Sequence, residues 1–300
     1  MQSIPISFRQ IEFLLAVADT GSTAAASRLL NVSQPSVSLA ITRCEEIWGQ
    51  PLFVRIVGQG MELTSFGKHK VAEIRNLQKQ AQSVLLGADS PEYLDLGLFS
   101  TLGPQYGPDL INRFKRDFPG TEIRLWEGDL GLLHQWLNEG RIDLALLYDF
   151  GIPDECDITS LRRVDPYVLC AEDHPLAGRD DVTIADILEE PIILINLPYS
   201  RGFFLSLLRR EEQSVHIAYE TSSIEMLRSM VANGLGIGLL ATDIPNTRSY
   251  DGKYIKRLQI RGELPRHQIA LARSTRVGPR PVVKNFIAFA RCYFDHVPQP

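Results

Sequence analysis

The stretch Asn31–Ile41, NVSQPSVSLAI, decides how the first part of the chain folds. Val37 and Ile41 lie one helical turn apart, whereas most of the remaining positions carry short polar side chains. Ser33 is a good N-cap residue, and Pro35 falls in the first helical turn, where a missing N–H costs no hydrogen bond. The pattern therefore predicts a helix that begins here, with a narrow buried stripe and a polar free face.

That free face carries hydrogen-bonding side chains, Gln34, Ser36, Ser38 and Thr42. Such side chains suit the major groove of DNA, where glutamine pairs with adenine and serine bonds base edges or phosphates. The start of a helix also attracts phosphate. The pattern fits a helix-turn-helix, and it fits a plain helical hairpin with a solvated serine face equally well.

Two helices are predicted upstream of this stretch. Ser7 is placed to cap the first helix and Gly21 to end it, and Ser22 is placed to cap a short second helix. The alanines of that second helix allow another helix to approach closely.

Length and composition limit the class of protein. The chain has 300 residues, 44% apolar and 22% charged, which is typical of a soluble globular protein with two or three folding units. The apolar run Phe13–Ala18 is too short for a signal peptide, and no other run approaches the roughly 18 residues of a membrane span. Four cysteines lie far apart without metal-ligand spacing. We expect a cytoplasmic protein with reduced thiols, no cofactor and no membrane contact.

The charge of the chain is unevenly distributed. Residues 1–90 carry 8 Lys/Arg and 7 Asp/Glu, net +1, and residues 91–300 carry 23 and 29, net −6. The first part is the less acidic, but its charge predicts only weak general attraction to nucleic acid.

The first part of the chain resembles the N-terminal domain of LysR-type transcriptional regulators. The matching positions keep their order and spacing over about sixty residues, and they are Gly21, Ser22, Ala26, Leu30, Val32, Ser33, Gln34, Pro35, Ser38, Ile41, Glu45, Gly49, Pro51, Leu52, Phe53, Arg55, Leu63, Thr64 and Gly67. The resemblance implies a winged helix-turn-helix, with the recognition helix at 33–47 and the wing around Phe53–Leu63. Arg55 would sit on the wing beside the minor groove or a phosphate, and Thr64 would cap the next helix.

Nine residues are therefore expected to contact DNA: Thr23, Ser33, Gln34, Pro35, Ser36, Ser38, Thr42, Arg55 and Thr64. The chain also departs from the family at Ala25 and Leu39, where polar or basic residues are common. Both departures remove phosphate contacts, so non-specific affinity should be weak.

A linker helix is predicted after Gly67. Val71, Ile74, Gln78, Ala81 and Leu85 follow the 3-4 spacing of a coiled-coil seam, and the family uses this helix for dimerisation. The alternative is an amphipathic helix packed on its own chain. The resulting division is a winged helix-turn-helix at 6–64, a linker helix and hinge at 65–89, and an effector domain at 90–300.

The last two hundred residues contain a repeated β-α-β-α-β pattern with a glycine helix stop in each copy, Gly140 and Gly234. The repeat predicts an α/β fold of two lobes, each with a small parallel sheet, as in the periplasmic-binding-protein-like domain that the resemblance implies. Lobe 1 is expected at about 92–163 and 268–300, and lobe 2 at about 164–267.

Ligands of open parallel sheets lie at the carboxyl ends of the strands, where helix N-termini point inward. The residues at these ends are Ser100, Thr101, Leu102, Asp129, Tyr148, Phe150, Tyr199, Ser200, Arg201, Phe203, Thr221 and Ser222. Each hydroxyl can equally be a helix cap. Arg201 can fork onto a carboxylate or pair with a nearby surface acid, and the aromatic residues can wall a ligand or form core. A small organic acid is the effector class that we predict.

Other protein classes fit less well. The GLGIG stretch at 234–238 follows a helix and opens a strand, which is the reverse of a dinucleotide-binding fingerprint. No nucleophile and base can be paired, so an enzyme is not predicted. A stand-alone solute-binding protein would share the two lobes but lacks a role for the first ninety residues. We expect a homodimeric or homotetrameric regulator that binds double-stranded promoter DNA and a small effector, with RNA polymerase as a candidate further partner.

Overall fold

The computed structural model describes residues 4–56, 60–85, 91–152, 155–208, 214–242, 244–262, 264–265 and 267–296. Parts of three predicted features lie outside these ranges: the wing tip at 57–59, the hinge at 87–90 and the end of a helix at 209–211.

The N-terminal domain consists of three helices and an antiparallel hairpin: α1 (Phe8–Thr20), α2 (Thr23–Leu29), α3 (Gln34–Trp48), β1 (Phe53–Ile56) and β2 (Gly60–Leu63). The predicted caps are confirmed, because Ser7, Ser22 and Ser33 each accept a hydrogen bond from a backbone N–H in the first turn of their helix. Gly21 ends α1 in the left-handed conformation, with φ of 64°.

The helix α4 (Ser65–Leu85) belongs partly to this domain. Val71 and Ile74 are buried in the same apolar cluster as α1 and α3. This corrects the predicted coiled-coil seam, because its first half packs on the helix's own chain. The apolar side chains of α4 that remain exposed are Leu77, Val84 and Leu85.

The remaining elements, in chain order, are β3 (Glu92–Phe99), α5 (Gly103–Asp117), β4 (Thr121–Gly128), α6 (Leu130–Asn138), β5 (Leu144–Tyr148), β6 (Cys156–Val164), β7 (Tyr167–Ala171), a 3-10 turn (Pro175–Gly178), β8 (Asp181–Val182), α7 (Ile184–Leu188), β9 (Ile192–Ile195), α8 (Ser200–Leu208), β10 (Ile217–Thr221), α9 (Ile224–Ala232), β11 (Ile237–Leu240), β12 (Ile255–Ile260), β13 (His267–Ser274) and α10 (Pro281–His296).

These elements form two lobes, each around its own sheet. The sheet of lobe 1 has the order β4-β3-β5-β13-β6, and the sheet of lobe 2 has the order β10-β9-β11-β7-β12-β8. The chain passes from lobe 1 to lobe 2 between β6 and β7 and returns between β12 and β13. The cores of both sheets are almost entirely aliphatic and aromatic.

The sheets are mixed, whereas purely parallel sheets were expected. The strands of each repeat are parallel, but β13 is antiparallel to β5 and β6, and β7 is antiparallel to β11 and β12. The sequence pattern missed β6, β8, α7 and β12. The nine residues of β6 form an edge strand in which polar residues face both sides, so its alternation of apolar residues is weak.

The linker helix α4 docks on lobe 1 through a buried ionic cluster. The Lys79 ammonium lies 2.7 Å from a carboxylate oxygen of Asp95 and 3.0 Å from one of Asp143. Arg124 and Arg280 complete the cluster, at 2.7 Å from Asp95 and Asp143 respectively. Because Asp95 is only 2% exposed, this contact fixes the position of the helix against the lobe.

A second contact of α4 depends on close backbone approach. Gly140 has φ of 65°, and a Cβ atom there would lie 2.9 Å from Ala72 Cα. Arg141 next to it contacts the Asp19 carboxylate at 3.3 Å, so lobe 1 also touches the end of α1. Among the described residues, no helix combines the length and apolar character needed to cross a membrane.

Replacing Asp95 with alanine should destabilise lobe 1 by about 3 kcal/mol, because it removes the nearer of the two carboxylates that pair with the buried Lys79 and leaves only Asp143. Burial alone would raise the pKa of Asp95, but Lys79 and Arg124 outweigh it and hold the pKa below its ordinary value. The stabilisation is therefore present above the ordinary carboxyl pKa and is lost as the pH falls through the lowered one. Urea unfolding followed by far-ultraviolet circular dichroism measures the effect.

The matched control is Asp165→Ala, which removes one partner of an ion pair in which both side chains are more than half exposed. This control should cost less than about 1 kcal/mol. Equal losses from both variants would contradict the role given to the buried cluster.

Candidate functional sites

The first candidate site is the free face of α3. Its buried stripe consists of Val37, Ala40, Ile41 and Cys44. The opposite side is exposed and includes Gln34, Pro35, Ser36, Leu39 and Thr42. A helix with this burial pattern presents a continuous surface to a partner, and its N-terminal end is the most accessible.

Four predicted DNA contacts on this side form two hydrogen-bonded pairs inside the domain. The Thr23 hydroxyl is buried and accepts a hydrogen bond of 3.3 Å from Gln34 Nε2. The hydroxyls of Ser33 and Ser36 are 2.7 Å apart. Thr23 is therefore placed to orient Gln34 rather than to reach a partner itself, and Ser38 is half-buried.

The hairpin presents one cation at the surface of the N-terminal domain. Arg55 is exposed on β1, opposite Met61 of β2. The Thr64 hydroxyl donates to Pro51 O at 2.8 Å and accepts from Gly67 N at 2.9 Å. Thr64 is thus confirmed as a cap of α4, and its hydroxyl is committed to the fold.

The second candidate site is a cleft of about 640 Å³ between the lobes. Lobe 1 lines it with Ser100, Thr101, Pro104 and Gln105, and lobe 2 lines it with Ser222, Ser223, Ile224, Glu225, Thr242, Ile244 and Pro245. The first turns of α5 and α9 both border the cleft. In the first turn of α9 the N–H groups of Ile224 and Glu225 have no partner within the helix. In α5, Pro104 has no N–H and Gln105 N donates to Leu102 O at 3.2 Å, so α9 supplies most of the free backbone donors.

Polar groups of the cleft are only partly satisfied within the protein. Gln105 Oε1 is buried without a hydrogen-bond partner. Ser223 caps α9, accepting from Met226 N at 3.3 Å, so the hydroxyl of Ser222 is not needed as a cap. The sequence left capping and ligand contact open for Ser222, and the structure gives the cap to Ser223. Gln105 and Thr242 were not predicted, because Gln105 lies in the first turn of α5 and Thr242 follows β11, a strand end that the prediction did not use.

The predicted aromatic wall lies beneath the cleft and is closed. Tyr148 stacks on Phe150 with ring centroids 5.5 Å apart, and Phe150 stacks on Phe203 at 5.4 Å. The Tyr148 hydroxyl lies 2.7 Å from Thr242 Oγ1, which joins lobe 1 to lobe 2. The cavity next to these rings measures about 20 Å³, so in this conformation they join the lobes and leave no room for a ligand body.

Arg201 lies outside the cleft lining. Its guanidinium forms a fork with the Glu220 carboxylate, at 2.8 Å from Nη2 and 3.1 Å from Nε. This is the surface pairing that the sequence left open as the alternative. Tyr199 next to it is half-exposed, has a left-handed backbone with φ of 65°, and contacts His134 of lobe 1.

The other predicted ligand residues have structural roles. Leu102 is fully buried in the core of lobe 1, and Ser200 is buried at the start of α8. Asp129 caps α6 through Leu132 N at 2.9 Å. The Thr221 hydroxyl accepts from Ser223 N at 3.2 Å. Of the twelve predicted residues, Ser100, Thr101 and Ser222 line the cleft.

Two buried histidines of lobe 1 face aromatic residues of lobe 2. The ring centroid of His267 lies 3.9 Å from that of Phe203, and the ring centroid of His134 lies 5.6 Å from that of Tyr199. Burial lowers the pKa of both histidines, and the nearby carboxylates of Asp129 and Asp149 only partly oppose this. In the described part of the chain, no cluster of three or more potential metal ligands occurs.

A helix-turn-helix joined to a two-lobed ligand-binding domain defines a ligand-responsive DNA-binding regulator. A sequence profile described as "LysR substrate binding domain" matches residues 89–295, and one described as "Bacterial regulatory helix-turn-helix protein, lysR family" matches residues 8–68. The chain belongs to the LysR family of transcriptional regulators, which confirms the fold class and the family predicted from the sequence.

Known relatives cover most of the chain. The uncharacterized HTH-type transcriptional regulator YvbU of Bacillus subtilis is 31% identical over 242 residues, which is 79% of this chain and 82% of YvbU. The hydrogen peroxide-inducible genes activator of Pectobacterium carotovorum is 27% identical over 259 residues, which is 82% of this chain and 84% of that protein. The crystal structure of HinK, a LysR family regulator from Pseudomonas aeruginosa, is 32% identical with a TM-score of 0.65 and covers 96% of this chain and 99% of HinK.

Acidification should destabilise the contact between the lobes. Because the pKa of each buried histidine is lowered from its ordinary 6.5, the unfolded chain binds protons more readily, and stability falls as the pH drops below that value. The free energy of unfolding, measured between about pH 7 and pH 5, should therefore decline less steeply in His134→Gln and His267→Gln. The exposed His216→Gln should keep the steepness of the parent, and an unchanged slope in all three variants would refute the assignment.

Proposed function

We propose that this LysR-type regulator binds an interrupted inverted repeat near its promoter as a homodimer or homotetramer and senses a small organic acid in the cleft between its lobes. Two sites on one chain support this function: a helix face with exposed polar side chains together with the exposed Arg55 of the hairpin, and a cleft with unpaired polar atoms. We place its action in the bacterial cytoplasm, and contact with RNA polymerase stays a prediction.

The proposed DNA contact begins with α3 in the major groove. Gln34, Pro35, Ser36 and Thr42 are exposed there, and Thr23 holds the Gln34 amide through its hydroxyl. A glutamine amide oriented in this way is suited to adenine. Arg55 on the wing supplies a phosphate or minor-groove contact.

The proposed effector site uses neutral donors. Ser100, Thr101, Gln105 and Ser222 bring hydroxyls and an amide to the cleft. The first turn of α9 brings backbone N–H groups, and α5 and α9 both bring the positive ends of their helix dipoles. The described lining contains no lysine or arginine, so a ligand carboxylate would rest on these donors. The anticipated partner Arg201 is instead bound to Glu220.

The proposed response is a change in how the lobes and the linker helix sit together. The effector touches residues of both lobes, so it favours one arrangement of the lobes over others. Lobe 1 is joined to α4 by Lys79 and by the Gly140–Ala72 contact, and α4 is part of the DNA-binding core. A shift of the lobes therefore reaches the recognition helices through a rigid element.

The residues that line the cleft favour ligand binding without catalysis. Its described lining contains Glu225 as its acid and no histidine, lysine or cysteine to act as a base or activated nucleophile. We infer that the ligand leaves the cleft unchanged.

One relative is named for its response to hydrogen peroxide, but the cysteines of this chain do not favour such a response. Cys44, Cys156 and Cys170 are buried, and burial raises the pKa of each, to about 11 for Cys44 and Cys170. The thiolate is the form that reacts with oxidants, so these cysteines are poor sensors. Cys292 is exposed on α10.

Removing the Gln34 amide should relax sequence discrimination. The Gln34→Ala variant should lose about 1–3 kcal/mol of preference at one base pair of each half-site and keep its affinity for unrelated duplexes. Competition binding with single-base variants of a selected site measures this. Unchanged discrimination at every position would contradict the proposed orientation of α3.

Removing the Arg55 charge should weaken binding to every duplex. The slope of log K against log salt should become shallower by about one phosphate contact per subunit in Arg55→Ala. Arg163→Ala is the matched control, because it removes an exposed arginine of the effector domain that pairs with Asp165. A control that weakens DNA binding as much as Arg55→Ala would show that the effect is not local to the wing.

A small carboxylate should raise the thermal stability of the full chain. At a hundredfold excess over its dissociation constant, a ligand adds about 2.7 kcal/mol. A panel of small acids, neutral polyols and amino acids is tested on the parent and on Thr101→Val, Gln105→Leu and Ser222→Ala. We expect stabilisation by an acid in the parent and a much weaker effect in the three cleft variants.

The Arg201→Ala variant distinguishes two groups that could bind the ligand carboxylate, the neutral donors of the cleft and the Arg201 guanidinium. If the carboxylate rests on the cleft donors, this variant keeps the stabilisation. Loss of the stabilisation in Arg201→Ala alone would show that the ligand binds outside the cleft. Stabilisation by neutral polyols alone would refute the proposal that the effector is an acid.

A further inference from the structure

Leu39 is an exposed apolar residue in the middle of the recognition helix. Its side chain is 69% exposed, although leucine is among the residues most often buried. A single exposed leucine is ordinary on a protein surface. This one lies within the face that the proposed function places against DNA, so its surroundings determine what it can contact.

The position of Leu39 on the helix determines the direction in which its side chain points. At about 100° per residue, its side chain points about 150° away from the mean direction of the buried stripe formed by Val37, Ala40, Ile41 and Cys44. The side chain therefore projects almost directly away from the domain. If this helix lies in a groove of DNA, Leu39 contacts that groove.

The neighbours of Leu39 on the helix surface leave it free to reach outward. The positions three and four residues away are Pro35, Ser36, Thr42 and Arg43, and all four are exposed. Three of them have short side chains that let a groove wall approach closely. Leu39 is therefore the one large apolar group on this part of the face.

The chemistry of the major groove offers one clear apolar partner. Phosphates and most base edges present charges or hydrogen-bonding groups, and an isobutyl side chain would desolvate these without compensation. The C5-methyl group of thymine is the apolar feature of the groove, and apolar side chains recognise it. Such a contact gains the free energy of burying both groups.

We propose that Leu39 contacts a thymine methyl group in each half-site and is a specificity-determining residue of this regulator. This inference rests on the proposed docking of α3 in the major groove. Leu39 cannot contact a DNA phosphate, as a polar residue at this position could. Through the methyl contact it still adds sequence preference. The Gln34 amide and the Leu39 side chain then read neighbouring base pairs by different chemistry.

The test uses the full-length chain and a duplex selected from a randomised pool. Each thymine of the selected half-site is replaced in turn by deoxyuridine, which removes only the methyl group. For the parent, one replacement should weaken binding about fourfold, the factor for losing one buried methyl group. In Leu39→Ala this penalty should disappear, while the selected duplex is still preferred through Gln34.

Two further variants sharpen the result. Leu29→Ala removes a leucine of α2 that is 63% exposed, and it should keep the deoxyuridine penalty of the parent. Leu39→Met keeps an apolar side chain of similar size and should keep most of the penalty. Circular dichroism of Leu39→Ala checks that the helices are intact.

The outcomes separate this inference from the proposed function. Specific binding with no deoxyuridine penalty at any thymine, or a penalty that survives in Leu39→Ala, would overturn the methyl contact and leave DNA binding standing. Failure of the parent to select any duplex would overturn both. Loss of the penalty in Leu29→Ala as well would place the effect outside α3 and also overturn the assignment.

Discussion

Lys79 lies between the carboxylates of Asp95 and Asp143, and this contact ties the linker helix to lobe 1. The same helix buries Val71 and Ile74 in the core of the DNA-binding domain. One helix is therefore shared by two cores, so neither domain can tilt without moving it or breaking a buried ion pair. Breaking such a pair is costly because it leaves an uncompensated charge, so the junction resists bending.

The cleft has a different physical character from this junction. Its polarity comes from hydroxyls, one amide, the Glu225 carboxylate and the first turn of α9, and Arg201 lies outside its lining in an ion pair with Glu220. Neutral donors at helix N-termini hold an anion without the large desolvation cost of burying a guanidinium. The aromatic stack of Tyr148, Phe150 and Phe203 under the cleft connects the lobes, so a ligand above it acts on an interface that is already closely packed.

Local chemistry was predictable from the sequence, and long-range partners were not. Ser22, Ser33 and Gly21 were identified because helix caps depend on residues within one turn. The strand ends were located well enough to find Ser100, Thr101 and Ser222, but the partner of Arg201 is set by the pairing of β10 with β9. The seam of α4 illustrates the same limit, because an apolar stripe on a helix does not reveal whether its own chain or another one covers it.

We infer that the cleft and the recognition helices are coupled through the docking of α4 on lobe 1. Isothermal titration of a stabilising carboxylate, with and without the selected duplex, tests this coupling, because coupling between two binding sites is reciprocal. Saturating duplex should change the ligand dissociation constant by about fivefold or more in the parent and much less in Lys79→Met. An identical dissociation constant for the parent with and without duplex, when duplex and ligand each bind, would refute the coupling.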